Sequence, residues 1–112
     1  MKQLCKIRDL RRAVNRFEVD FENLYGIDLN EGMALCSIMT MERLAAGELG
    51  ALLGLSGPNA SKVIASVESK GLVERIIDPI DRRRMMLTLT PKGQGLITSI
   101  DCTTVGIPQE LL

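Results

Sequence analysis

The sequence predicts a small α+β domain, mainly α with one small antiparallel β-hairpin. Three observations carry that expectation. Apolar residues recur at helical spacing through most of the chain up to Lys70, marking helix faces that must be buried. Glycine or proline punctuates these stretches, as at Gly26, Gly54, Pro58 and Gly71. Beyond Gly71 the pattern changes to short aliphatic runs on either side of DPIDRRR, a turn-forming segment. The 112 residues suit a single domain with a modest core. It divides into an N-terminal helix over 1–27, a central core over 28–93, and a short C-terminal helix with a tail over 91–112.

The first helix is expected from residue 2 to about 25, ended by Gly26. Leu4, Ile7, Leu10, Val14, Phe17, Phe21 and Leu24 step along it in threes and fours, a heptad-like seam. A helix of this length overhangs what a small domain covers, so the seam reads as a homodimer contact as well as a cover for its own core. Asn30 is expected to cap a second helix in which Met33, Ala34, Leu35, Ile38 and Met39 are mostly buried. A third begins near Ala46 or Gly47, carries Leu49, Leu52 and Leu53, and stops at Gly54. Gly47 and Gly50 weaken it by propensity, each by about 1 kcal/mol relative to alanine.

The stretch GLSGPNASKV, residues 54–63, poses a choice between a phosphate loop and the opening of a helix. A phosphate loop requires glycine directly before its lysine and a hydroxyl directly after, whereas Lys62 stands between Ser61 and Val63. Gly54 and Gly57 fall short of a dinucleotide fingerprint as well. The helix reading fits. Ser56 or Gly57 serves as N-cap and Pro58 occupies the first turn, where its missing N–H does no harm. Ala60, Val63, Ile64 and Val67 then form one apolar stripe, while Pro58, Lys62, Ala65 and Ser69 lie opposite, and the helix runs from about 57 to 70. A turn of about four residues containing glycine between two helices is the helix-turn-helix unit.

Strands are expected over Leu72–Ile77 and Met85–Thr90, with Met85, Leu87 and Leu89 on one face, joined by a loop with three consecutive arginines. Thr90 and Pro91 supply the cap and first position of a last helix, to about residue 101. Gly106 and Pro108 argue against helix in the tail.

Composition removes several function classes. The chain has no histidine, so the commonest general base and metal ligand is missing. Cys5, Cys36 and Cys102 show no C-x-x-C spacing. No enzyme, metal or cofactor is therefore expected. The N-terminus is charged from Lys2, and the least polar run, LAAGELGALLGL, contains Glu48 and is too short to cross a bilayer, so the expectation is a cytoplasmic chain without membrane contact. Net charge is zero, but it is sorted. Residues 1–16 hold six basic side chains against Asp9, residues 17–31 hold five acidic ones, and residues 56–93 hold seven basic against four acidic. Sorted basic segments suit a nucleic-acid footprint and also occur on solvated faces.

A helix, a helix-turn-helix and a hairpin with a basic loop make the winged-helix arrangement. Within it, residues 53–93 resemble the MarR family of bacterial transcription regulators. Lys70, Gly71, Leu72, Val73 and Arg75 match its K-G-L-V-x-R; Asp78, Asp81 and Arg83 its D-x-x-D-x-R; Leu89, Thr90 and Gly93 its L-T-x-x-G. The resemblance implies a homodimer that binds double-stranded DNA. The helix over 57–70 would enter the major groove, with Asn59, Ser61 and Lys62 reaching base edges or phosphates and Pro58 adding apolar contact. Ser56 and the helix N-terminus suit a phosphate. Arg82 and Arg84 are the candidates for the minor groove, with Arg83 partly held by Asp81. Arg75 is expected to be structural, and Ser66 and Ser69 solvated. The resemblance further allows a small-molecule effector and, through Cys5 with Cys102, a redox response, although ordinary reduced thiols are the plainer reading. The chain departs from the family pattern after the wing, where one short helix replaces the usual two, and at Gly57–Pro58, where a polar pair is usual. Zero net charge leaves open a second function, a winged-helix module that binds another protein.

Overall fold

The computed structural model describes residues 2–41, 43–100, 108 and 109. Two compact units are formed, one from Met1–Leu29 with Ile100–Leu112 and the other from Asn30–Ser99. Helix α1, Lys2–Tyr25, is the body of the first unit. It ends where glycine was expected: Gly26 takes a φ of +73°, and its N–H donates to the Glu22 carbonyl at 2.9 Å. Phe17, Phe21 and Tyr25 stack along one flank, with ring centroids 5.9 and 4.9 Å apart. Along the expected seam Phe21 is buried, Leu10, Val14 and Phe17 are half-buried, and Leu4, Ile7 and Leu24 are exposed. Cys102 and most of the expected irregular tail lie outside the described residues.

In the second unit α2 spans Leu29–Thr40, so Asn30 sits inside its first turn. Asp28, an equally good N-cap type, directly precedes it. Ala34, Leu35 and Ile38 are buried as expected, but Met33 and Met39 are 37% and 44% exposed. A helix packed on one side buries a single stripe, and Met39 falls outside it, on an open groove of about 570 Å³ bordered also by Ile38, Ile76 and Met86. A 3₁₀ turn, Ala46–Glu48, leads into α3, Leu49–Leu53. Only five residues long, α3 depends on tertiary packing rather than propensity. Leu35, Leu44, Leu49 and Val67 are at most 2% exposed and form the centre of that packing. Enclosing each leucine contributes roughly 1.5–3 kcal/mol.

The turn between α3 and α4, Gly57–Ser69, follows from two backbone choices. Gly54 adopts a φ of +71°, which lets the Leu55 N–H return to the Gly50 carbonyl at 2.8 Å. Ser56 then caps α4, its hydroxyl accepting the Asn59 N–H at 3.3 Å. Gly50, a liability for helix propensity, is where the two helices cross: a Cβ there would stand 3.1 Å from the Ala60 Cβ and 3.2 Å from the Leu55 carbonyl oxygen.

Strands β1, Val73–Ile77, and β2, Met85–Leu89, pair antiparallel in the register Val73↔Leu89 to Ile77↔Met85. A third segment joins them. The Leu87 N–H donates to the Leu44 carbonyl at 2.9 Å, and Ala45 forms an isolated bridge with Met86. Met85, Leu87 and Leu89 alternate onto one face of β2, but burial does not follow the faces: Met86 and Leu87 are both buried, while Met85 at the loop end is 40% exposed. Helix α5, Pro91–Ser99, is capped by Thr90, whose hydroxyl accepts the Gly93 N–H at 3.0 Å and donates to the Gly71 carbonyl at 2.6 Å.

Candidate nucleic-acid interface

The stripe of Ala60, Val63, Ile64 and Val67 turns α4 onto the core, and this leaves the other side to solvent. Ser56, Pro58, Asn59, Ser61, Lys62, Ala65 and Ser69 are all exposed. Apart from Lys62 these are short side chains, so another surface can approach the backbone closely. Lys62 has no ion-pair partner among the described residues and no acidic residue stands in the first turn. The Ser56 oxygen is engaged with Asn59, yet its O–H remains able to donate, and the helix N-terminus adds positive potential. No side chain of the first turn opposes an anion there with a carboxylate.

The wing loop, residues 78–84, is organised by two aspartates. Asp78 is fully buried; its carboxylate accepts the Ile80 N–H at 2.9 Å and a hydrogen bond from Arg43. The Ile80 N–H is the largest influence holding its pKa below the ordinary value; burial opposes it, and the Arg43 hydrogen bond, the Asp81 N–H and the Arg43 charge reinforce it. Asp81 accepts the Arg83 N–H at 3.1 Å and the Arg83 guanidinium at 3.2 Å, as expected. The loop closes through Asp78 N–H to the Arg84 carbonyl and Arg84 N–H to the Asp81 carbonyl, both 3.0 Å. The three arginines end in different places. Arg82 is exposed with no ion-pair partner among the described residues, Arg83 is exposed beside Asp81, and Arg84 is turned back onto Glu48.

Other polar residues prove structural. Glu31 is 3% exposed on α2, where it receives the Lys70 ammonium at 2.8 Å and the Ser66 hydroxyl at 2.8 Å. Ser66 is thus a tie between α2 and α4 rather than a solvated side chain, because a buried carboxylate needs donors. Ser69 donates back to the Ser66 carbonyl, and Arg75 pairs with Glu68 at 2.8 Å. Sequence reasoning missed Glu31, Arg43 and Glu48. Glu48 carried a signal, since an acid three residues after a helix-starting position reaches back to that N–H; Ala45 in place of serine or threonine concealed it. Nothing local marks the other two. Cys5 and Cys36 are exposed free cysteines. No helix among the described residues is long and apolar enough to cross a membrane.

A helix-turn-helix whose second helix offers a short-chained face, followed by a hairpin tipped with arginine, defines a winged helix-turn-helix protein. The model of the MarR family matches residues 25–84, over half of the sequence. The chain belongs to the MarR family. It is 28% identical over 99 residues to a putative transcriptional regulatory protein for the hcr operon of Thauera aromatica, covering 88% of this chain and 55% of that protein. It is 33% identical over 76 residues to the HTH-type transcriptional regulator TtmR of Methylorubrum extorquens strain PA1, covering 66% of this chain and 39% of that one. The chain thus spans about half, or less, of these relatives' lengths. Among solved structures, the S. aureus MepR–DNA complex superposes with a TM-score of 0.79 at 21% identity, over 94% of this chain and 78% of that one, a likeness of fold.

Proposed function

We propose that this chain is a cytoplasmic transcription regulator that binds double-stranded DNA as a homodimer and is not an enzyme. Helix α4 enters the major groove, with Ser56, Pro58, Asn59, Ser61 and Lys62 toward the DNA, and Arg82 brings the wing to the minor groove with Arg83 beside it, whereas Arg84, the other expected minor-groove contact, is turned onto Glu48. The observation that carries the reading is the pairing of an exposed, short-chained α4 face bearing Lys62 with a built wing loop bearing Arg82, two cations without internal partners among the described residues. Exposed Leu4, Ile7 and Leu24 on α1 support the seam as the dimer contact. Two half-sites engaged together add affinity steeply.

Fluorescence-anisotropy titration against duplexes from the protein's own upstream region, over a salt series, tests this. Binding should weaken with salt at a log–log slope near 0.9 per phosphate contact. Lys62→Ala should change the preference among sequences, and Arg82→Ala should lower the slope by about 0.9. Absence of binding to every duplex at low salt would sink the reading and favour a winged-helix module that contacts protein. Light scattering after size exclusion tests the seam, which a monomer at micromolar concentration would refute.

A further inference from the structure

Glu48 stands where the helix-turn-helix meets the wing. Its Oε1 accepts the Ala45 N–H at 3.0 Å and also a hydrogen bond from the Arg84 guanidinium. Ala45 is bridged in turn to Met86, two residues beyond Arg84, so the ion pair and the bridge close a small ring between the two elements. Both backbone polar groups of Arg84 are engaged within the loop. Its side chain is 39% exposed, against 92% for Arg83 on the same loop.

We propose that Glu48 masks Arg84 and fixes the wing to the helix-turn-helix, so that the wing's charge reaches phosphates through Arg82, and through Arg83 only in competition with Asp81. Glu48 is in this sense a positioning residue that also withholds one cation from the DNA. The physical reason is competition between anions. The carboxylate is held beside the guanidinium by the Ala45 bridge, at an effective concentration that an incoming phosphate must overcome. A phosphate that succeeded would leave the Glu48 charge facing the DNA backbone, which repels it. The inference rests on the DNA-binding reading above.

Glu48→Gln separates the two roles of the residue, since the amide oxygen still accepts the Ala45 N–H while the charge is gone. Wild type, Glu48→Gln and the double variant Glu48→Gln/Arg84→Ala are titrated against a mixed-sequence duplex of roughly 30 base pairs from about 50 to 200 mM salt. Releasing Arg84 should steepen the slope of Glu48→Gln by about 0.9, so that affinity falls about 3.5-fold more across that range than for wild type. The double variant should return to the wild-type slope. Equal slopes for wild type and Glu48→Gln would overturn the masking. So would a steepening that persists in the double variant, because its cause would be the lost carboxylate rather than Arg84. A wild type that shows no salt-dependent binding would instead remove the DNA-binding reading itself, a result distinct from either slope outcome.

Discussion

Gly93→Ala sets two effects of opposite sign against each other in α5. In a helix, alanine is favoured over glycine by roughly 0.8–1 kcal/mol. At position 93, however, a Cβ would lie 2.0 Å from the Leu72 carbonyl oxygen, 2.9 Å from its carbon and 3.2 Å from the Cα. Ordinary contact begins at 3.4 Å, so α5 must retreat by more than an ångström from the junction between α4 and β1. That junction is held by Thr90 N–H to the Leu72 carbonyl at 3.1 Å, the Thr90 hydroxyl to Gly71 at 2.6 Å and the Lys92 ammonium to the Lys70 carbonyl at 2.9 Å. Forcing atoms into a close-packed site costs roughly 1–3 kcal/mol, and each weakened hydrogen bond about 0.5–1.5 kcal/mol. The clash wins, and a net destabilisation of about 1–3 kcal/mol is expected. Gly95→Ala is the internal control: it lies in the same helix with nothing within 4 Å of its Cβ, and should stabilise by roughly 0.5–1 kcal/mol. Urea denaturation followed by circular dichroism compares the two at constant m-value. If Gly93→Ala matched or exceeded the stability of Gly95→Ala, the close approach of α5 to Leu72 would be wrong.

Three further outcomes follow from the polar contacts. Because the Asp78 pKa is lowered in the folded chain, its contribution is full above the ordinary 3.8 and is lost as pH falls through the folded value; the difference in urea midpoint between wild type and Asp78→Asn should hold steady above that pH and narrow below it. Lys70→Met removes the ammonium from a carboxylate that is 3% exposed, and should cost about 1–2 kcal/mol by urea midpoint, discounted because Lys70 itself is partly in water. A shift within experimental error would show the pair to be incidental. Ser56→Ala should lose about 1 kcal/mol and Ser56→Gly only a few tenths, by thermal melting, since glycine tolerates the N-cap conformation; equal losses would deny the cap.

Much of the fold was legible because local chemistry and tertiary need agree at the punctuating residues. Gly26, Gly54 and Gly71 all take φ near +70°, a conformation open to glycine at little cost, and each ends a helix where the apolar period stops. The stripe of α4 was readable for the same reason. Burial on α2 and β2 was not, because periodicity assigns faces but not the neighbours that cover them. Met39 remains exposed and Met86 becomes buried through the positions of segments distant in sequence. Glu31, Arg43 and Asp78 follow that rule most strongly: their partners lie 35 or 39 residues away, and no spacing in the sequence connects them.

Neutral overall charge looks unfavourable for a DNA-binding chain, and the geometry answers the objection. Screening makes distant charges count for little at physiological salt, so an approaching phosphate feels the local field within about 8 Å rather than the chain's sum. Within residues 30–99 five of the seven acidic side chains, Glu31, Glu48, Glu68, Asp78 and Asp81, are each placed against a lysine or arginine. Five of the fourteen acidic charges therefore cancel in place, within this unit. Lys62 on α4 and Arg82 on the wing are left out of that cancellation, and they stand on the two elements assigned to the DNA. A total of zero still leaves a positive residue on each of the two elements proposed to face DNA. Glu48→Gln, by freeing Arg84, would alter that local field while changing the total by a single charge.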